Sequence, residues 1–446
     1  MIKKILTAIN YLLFTLILFL ASNFFVLKQL TDLYWIFLIL AVIINIAPAL
    51  VLPRTRRLRR CARGNALLIQ FLGSAALCFV LFFLNFTPFL PIENMFANPR
   101  LWIYNTLLAI LLETIVFWNG MLRIFFSSEQ LGIKTRVIAV VCGLIPIVHL
   151  FVLGTMIRVV SREIALENQK IMTDEQRRAQ QICATKYPLL MVHGVFFRDF
   201  SYFNYWGRIP KALEANGACV FYGEHQSAAD VETSGREIAA RILQIVSETG
   251  CGKVNLIAHS KGGLDCRCAL GLPGIAEHVA TLTTVSTPHR GCEFADYLLS
   301  KIPQAEQHAV AKAYNAALRR LGDSNPDFLA AVRNLTAAFC QKFNERYPDV
   351  PGIFYQSVGS KLNRAGGGRF PLNFTYHLAK SFDGDNDGLV GENSFAWSGP
   401  FQMLTVRGTR GISHGDMIDL TRENIPDFDV REFYVQLVAD LKLRGY

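Results

Sequence analysis

Val254-Asn255-Leu256-Ile257-Ala258-His259-Ser260-Lys261-Gly262-Gly263 is an apolar run that ends abruptly on a serine between small residues. Four of the first five side chains are apolar, which suits a strand buried on both faces. The stretch after Ser260 is compatible with a helix. A strand that turns sharply into a helix with Ser at the apex is a nucleophile elbow. The turn is strained, so the positions two before and two after the serine must be small. Ala258 and Gly262 meet that requirement. Ser260 is therefore the candidate nucleophile, and the alternative is a surface Ser-Gly turn.

The flanking sequence repeats the alternation of strand and helix. Leu189–Val192, Cys219–Tyr222, Val279–Val285, Gly352–Val358 and Gln402–Val406 read as short strands. Lys211–Asn216, Glu237–Ser247 and about 430–442 read as helices. Short buried strands separated by helices predict a mostly parallel α/β sheet, here of the α/β-hydrolase type.

A serine hydroxyl needs a base. In this fold the chain order is Ser, then Asp or Glu, then His. His259 adjoins Ser260 but points the wrong way for that role. His278, His289, His308 and His377 follow, and His414 lies beyond them in Ile412-Ser413-His414-Gly415-Asp416, just after the last predicted strand. There a loop can carry the imidazole over the serine, so His414 is the candidate base. The acid belongs in Asp383-Gly384-Asp385-Asn386-Asp387-Gly388-Leu389-Val390, where three aspartates compete. Asp387 is best placed, because Gly388 permits the turn and Leu389-Val390 anchors the loop. The same acidic loop could hold calcium through its carboxylates. An oxyanion hole needs backbone N–H donors. Lys261, after the nucleophile, supplies one, and the His193-Gly194 turn after the first strand supplies the other through Val195. Phe196, Phe197, Phe200, Tyr202, Phe203, Tyr205 and Trp206 follow. They are either the wall of an acyl pocket or plain core. Residues 301–345, with helical pattern at Ala309–Leu321 and Phe328–Phe343, are either a lid-like insertion or scaffold.

Composition separates this half from the other. The chain has 446 residues, 52% hydrophobic and 18% charged, against about 25% charged for a soluble globular chain. Residues 1–158 hold 14 Lys and Arg against 4 Asp and Glu, whereas the remainder holds 31 of each. The basic excess thus lies in the hydrophobic half, which leaves no basic soluble surface for nucleic acid. Five apolar stretches, roughly 5–27, 34–53, 66–92, 102–126 and 136–157, each reach the length of about 20 residues that crosses hydrocarbon as a helix. The first outlasts a signal-peptide core and reads as an anchor. Lys3, Lys4, the Arg54–Arg63 cluster, Arg123, Lys134 and Arg136 lie on alternate sides of these stretches, with Lys28 and Arg100 opposite. That alternation predicts a cytoplasmic N-terminus and an extracytoplasmic second half, most naturally at a bacterial cytoplasmic membrane. Intramembrane Glu113 pairs within the bundle or serves a pathway. The organisation expected is a membrane domain over 1–158, a polar linker helix over 159–185 and an α/β-hydrolase domain over 186–446.

The second half resembles the bacterial true lipases. Tyr187-Pro188-Leu189-Leu190-Met191-Val192-His193-Gly194 resembles their first strand and oxyanion loop. Tyr205-Trp206-Gly207, the elbow with Ala258, Thr287-Pro288-His289-Arg290-Gly291 and Phe428–Tyr434 resemble segments of the Bacillus and Geobacillus lipases. Asn386-Asp387-Gly388-Leu389-Val390 resembles the acid loop of both those and the Pseudomonas/Burkholderia enzymes, which favours Asp387 over its neighbours. The resemblance covers about 186–442. It implies an ester hydrolase with Ser260, Asp387 and His414 as triad, Val195 and Lys261 as oxyanion donors, and His193, Gly194, Ala258, His259 and Gly262 as supports. It also implies a calcium ligand two residues after the histidine, at Asp416, although no further calcium ligand is identifiable. The zinc-binding insertion of the Bacillus type has no room between Gly194 and Ser260, so no zinc is expected and no cofactor is required. A membrane region is foreign to the secreted lipases, which favours lipid-like esters at a bilayer over free fat.

Seven cysteines fall in the second half, too many by one to pair fully. No C-x-x-C occurs and Cys266-x-Cys268 is too tight for a zinc knuckle. Disulfides are open to these residues in an oxidising compartment, and a buried free thiol is the default. Two other functions stay open: acyl transfer by the same triad to an acceptor other than water, and a membrane sensor or scaffold with a non-catalytic hydrolase-like domain.

Overall fold

The computed structural model describes residues 2–28, 34–50, 52–85, 93–143, 145, 147–195, 204–320 and 322–446. The chain divides into two compact units, Met1–Thr173 and Asp174–Tyr446.

In the first unit, three helices among the described residues are long and apolar enough to cross a membrane: Ile5–Ser22, Arg56–Leu84 and Pro99–Ser127. The second apolar stretch yields only the 12-residue helix Trp35–Ile46. The fifth is split into Ile133–Cys142 and the start of a 30-residue helix, Val148–Arg177. Large apolar side chains such as Phe126 and Phe151 point outward, an arrangement that suits hydrocarbon and is costly in water. Inside, Glu113 is buried and accepts hydrogen bonds from Ser22 and Ser74. Its partners thus lie within the bundle.

The polar linker is not a separate element. It continues the Val148–Arg177 helix, whose last residues belong to the second unit. There Arg177 forks onto Glu432 at 2.7 and 2.8 Å, and Asn216 donates to Asp174.

The second unit is built on six parallel strands: β1 (Leu189–Val192), β2 (Val220–Tyr222), β3 (Val254–His259), β4 (Val279–Val285), β5 (Phe354–Ser360) and β6 (Phe401–Leu404). Their order is β2-β1-β3-β4-β5-β6, all pairs parallel. Alternate side chains of the central strands enter two different cores. Leu189, Met191 and Ile257 join Trp206 and Tyr434 on one face, whereas Leu190, Val192, Leu256 and Ala258 join Ile238 and Ile242 on the other. Both faces are therefore covered, as parallel sheets require. The helix on the second face, Val231–Thr249, is capped by Asp230, which accepts from Thr233 N–H, and closed by left-handed Gly250.

The strand order reverses between β1 and β3, because β2 lies to one side of β1 and all later strands to the other. The crevice beyond the carboxyl ends at such a switch point is where ligands bind in open α/β sheets. His193-Gly194 and Ser260 leave the sheet there, from adjacent strands whose last paired residues are Val192 and Ala258.

The 301–345 insertion contains Gln304–Arg320 and, in place of one helix over Phe328–Phe343, two: Phe328–Arg333 and Ala337–Arg346. Thr336 causes the interruption, since its hydroxyl accepts from Phe339 N–H and starts a new helix.

Candidate active site

Ser260 has φ 57° and ψ −133°, left-handed for a residue with a side chain. Its N–H donates to Val285 O at 2.9 Å, and the helix Lys261–Leu270 starts at the next residue. Such strain persists only where the surroundings enforce it, and here they do so by contact. A Cβ on Gly262 would lie 2.5 Å from His193 O and 2.9 Å from Val192 O. A Cβ on Gly194 would lie 2.8 Å from Ser260 Cβ. The elbow and the loop after β1 are thus pressed together with no atom to spare.

Lys261 is the first residue of its helix, so its N–H is one of the terminal donors without an intrahelical acceptor. Its ammonium is buried against Asp265 Oδ1 at 2.6 Å and Ser234 Oγ at 3.2 Å, which ties down the first turn. Burial pushes the Asp265 carboxyl up to about 7, against the pull of Lys261. Val195 is buried and packs with Ala228, Leu318 and Ala331, so the helical insertion abuts the loop after β1. His193 is buried, stacked on His225 with ring centroids 3.8 Å apart. The aromatics at 196–203 lie outside the described residues. Tyr205 and Trp206 are both buried, so these two belong to the core rather than to an exposed acyl wall.

The acid loop resolves the competition among its three aspartates. Asp383 accepts from Glu293 N–H and Phe294 N–H, at the start of the helix Glu293–Lys301. Asp385 pairs with Lys361 at 3.2 Å and Lys380 at 3.5 Å, and these cations hold its carboxyl below the usual range. Asp387 is fully buried and faces His414, with its Oδ2 2.7 Å from His414 Nδ1. The other carboxylate oxygen of Asp387 accepts from the N–H groups of Leu389 and Val390 at 3.0 and 2.8 Å. His414 N–H also donates to Asp387 O. Among the described residues, the pairing leaves Nε2 as the edge of the imidazole without a hydrogen-bond partner.

His414 meets the elbow through His259. The two rings are 4.5 Å apart, and His259 Nε2 lies 3.2 Å from His414 O. A direct Ser260–His414 hydrogen bond is not among the contacts of the described residues.

Tyr205, read from the sequence as acyl wall or core, completes this chain of contacts through its hydroxyl. Gly194 N–H donates to Tyr205 Oη at 3.1 Å, and Tyr205 Oη lies 2.7 Å from His259 Nδ1. Burial and the neighbouring His414 hold the His259 imidazole neutral, well below its ordinary value. A neutral ring facing a carbonyl at Nε2 carries its proton there. Nδ1 is then the acceptor, and Tyr205 O–H donates to it. One directed chain therefore runs from the loop after β1 through Tyr205 and His259 to the backbone of His414. Only the spacing Tyr205-Trp206-Gly207 marked that tyrosine in the sequence.

A family model described as "Putative serine esterase (DUF676)" matches residues 219–333, which include Ser260 but neither Asp387 nor His414. A triacylglycerol lipase of Pseudomonas fragi is 31% identical over 293 residues, covering 58% of this chain and 98% of that enzyme. The chain belongs to the α/β-hydrolase lipase family. Two further relatives align over less of their length. Triacylglycerol lipases of Pseudarthrobacter phenanthrenivorans and Burkholderia plantarii are each 35% identical over 184 residues, or 39% of this chain. The match spans 57% and 51% of those two enzymes.

Calcium does not fit the position the lipase resemblance gives it. Asp416 is buried, but its carboxylate is taken by Arg410, with Nη–O distances of 2.9 and 3.2 Å, and by Ser413 N–H at 2.8 Å. Among the described residues, no group of three or more His, Cys, Asp and Glu side chains is placed to hold a metal ion. The reason is chemical: a guanidinium already supplies the positive charge that Asp416 faces. All ten cysteines are free thiols.

Proposed function

We propose that this chain is a membrane-anchored serine hydrolase that cleaves carboxylic esters of lipids. The observation that carries the reading is the buried Asp387–His414 pair at 2.7 Å, which contacts, through His259, the elbow whose serine is held at positive φ between a strand and a helix. Ser260 Oγ attacks the ester carbonyl while His414 Nε2 removes its proton. Asp387 keeps the imidazole in the Nδ1–H tautomer and stabilises the imidazolium. The N–H groups of Val195 and Lys261 receive the developing oxyanion, each such donor being worth about 3–4 kcal/mol of barrier. The proton passes to the departing alcohol, and water then releases the acyl group from Ser260 by the same route reversed. No metal or cofactor takes part in these steps.

The lipid character of the substrate rests on the names of the relatives and on the apolar helices that precede the hydrolase unit in the same chain. The basic clusters at Arg54–Arg63 and at Arg123–Arg136 support an N-terminus in the cytoplasm and a hydrolase unit outside it. This topology requires the second and fifth apolar stretches, around Trp35–Ile46 and from Ile133–Cys142 into Val148–Arg177, to cross beside the three longer helices.

A fluorophosphonate probe on the full chain in detergent tests the chemistry. Wild-type protein is labelled at Ser260 and hydrolyses a p-nitrophenyl ester, and Ser260→Ala loses both. Undiminished hydrolysis by that variant would refute the mechanism. Reporter fusions after residues 130 and 180 test the topology, with activity outside expected only for the second.

A further inference from the structure

We infer that Arg410 is the built-in cation of the His414 loop, a positioning residue that holds the base in place and makes the site indifferent to calcium. The inference rests on the reading of His414 as base.

The Arg410 backbone is secured on the sheet side. Asn363 N–H donates to Arg410 O, Leu362 bridges to Gly411, and a Cβ on Gly367 would lie only 1.9 Å from Arg410 O. From that anchor the guanidinium reaches across the loop. One Nη meets Asp416 Oδ2 at 2.9 Å. The other meets Asp416 Oδ1 at 3.2 Å and Glu423 Oε2 at 3.3 Å. Asp416 in turn accepts from Ser413 N–H, and its own N–H donates to Ser413 Oγ. His414 is thus the second residue of a four-residue turn whose two ends are closed on each other, and the closing carboxylate is locked by a fork of fixed geometry.

Planar two-point pairing fixes direction as well as distance, which a point charge cannot do. The guanidinium is covalently tethered and cannot dissociate. Arg369, which pairs with Glu423 at 2.9 Å, extends the network but does not touch Asp416. A divalent cation at Asp416 would have to displace Arg410 from both carboxylates.

The test uses the full chain in detergent, with Arg410→Met and Arg410→Lys. Wild-type kcat is expected to be the same with chelator or added calcium, and its thermal midpoint the same in both. Arg410→Met is expected to lose on the order of 10- to 100-fold in kcat, as a misplaced catalytic group does, with KM nearly unchanged. Fluorophosphonate labelling of Ser260 should slow in parallel. Amide exchange over residues 412–416 should accelerate while exchange over the elbow does not. Arg410→Lys should restore part of the kcat. A calcium-dependent rise in the wild-type midpoint, or wild-type kcat and exchange in Arg410→Met, would overturn the inference. If Arg410→Met does not fold, the calcium response of wild type and the kcat and exchange of Arg410→Lys decide it. Absence of turnover and labelling in wild type would instead remove the hydrolase reading, and calcium response and exchange would still judge Arg410.

Discussion

At Ser260 the backbone itself sets the geometry, whereas at His414 side-chain charges do. The elbow follows a strand hydrogen-bonded on both sides, and Gly194, Gly262 and Gly263 leave no volume around it. The Asp387 and His414 loops lie beyond the last residues of β5 and β6 and are joined by Asp387–His414, while Arg410–Asp416 braces the His414 loop internally and the Arg208–Asp419 fork at 2.8 Å ties the residues after it to the start of the Ile209–Ala215 helix. One half of the site is therefore sensitive to added atoms, and the other to the loss of a single charged or polar partner.

Substitutions on each side should separate these behaviours. The largest effect is expected from Asp387→Asn, which keeps the shape but reverses the tautomer of His414. Turnover should fall by about 10⁴-fold with little change in stability, and a loss below tenfold would mean that Asp387 is not the orienting acid. Gly262→Ala comes next. Its methyl group cannot coexist with the carbonyl oxygens of Val192 and His193, and overpacking of this kind costs roughly 1–3 kcal/mol. Denaturation midpoint and probe labelling should fall together, unlike the purely kinetic lesion at Asp387.

Tyr205→Phe sharpens the comparison, because Tyr205 links the two halves. It would leave Gly194 N–H and His259 Nδ1 without their shared partner, at about 1–3 kcal/mol for buried polar groups. Turnover is expected to drop about tenfold through the oxyanion loop, and an unaltered kcat would show the chain of contacts to be incidental.

The last effect is a pH dependence, which touches stability and leaves the geometry of the site unchanged. His259 and His289 are buried and their imidazoles are held well below the ordinary 6.5, chiefly by desolvation, with His414 acting on the first and Arg267 and Arg290 on the second. Below pH 6.5 the unfolded chain takes up protons that the folded chain refuses. From these two groups stability is fully present above 6.5 and declines on acidification, by at most about 1.4 kcal/mol per pH unit for each histidine, with Asp265, raised to about 7 by burial, offsetting part of the decline by taking up its proton in the folded chain. An unfolding midpoint that stays flat from pH 6.5 to 5 would contradict this.

Much of the site was legible because its signals are local. Residues 254–263 carry strand, turn and helix in one contiguous run, and β1 and β4 have the ends their apolar runs suggest. Asp387 could be preferred over Asp383 and Asp385 only from the Gly388 turn after it and from resemblance, since three similar carboxylates within five residues differ in their contacts and not in their chemistry. Tyr205, Arg208 and Arg410 were not legible as positioning residues. Tyr205 meets His259 across 54 positions and Arg208 meets Asp419 across 211, distances over which no periodicity survives. Arg410 stands only six positions from Asp416. What hid it was that a carboxylate beside a catalytic-type histidine reads equally well as a metal ligand until its partner is seen.

The chain by itself determined that an apolar, basic first half precedes a parallel α/β unit with a serine at its elbow, because strand burial, helix period and charge bias are written in neighbouring residues. The tertiary structure alone decided which aspartate faces the imidazole, which tyrosine couples the two halves and which cation holds the loop. Those are contacts between segments that folding brings together, and each is selected by shape and charge at a distance rather than by the residues beside it.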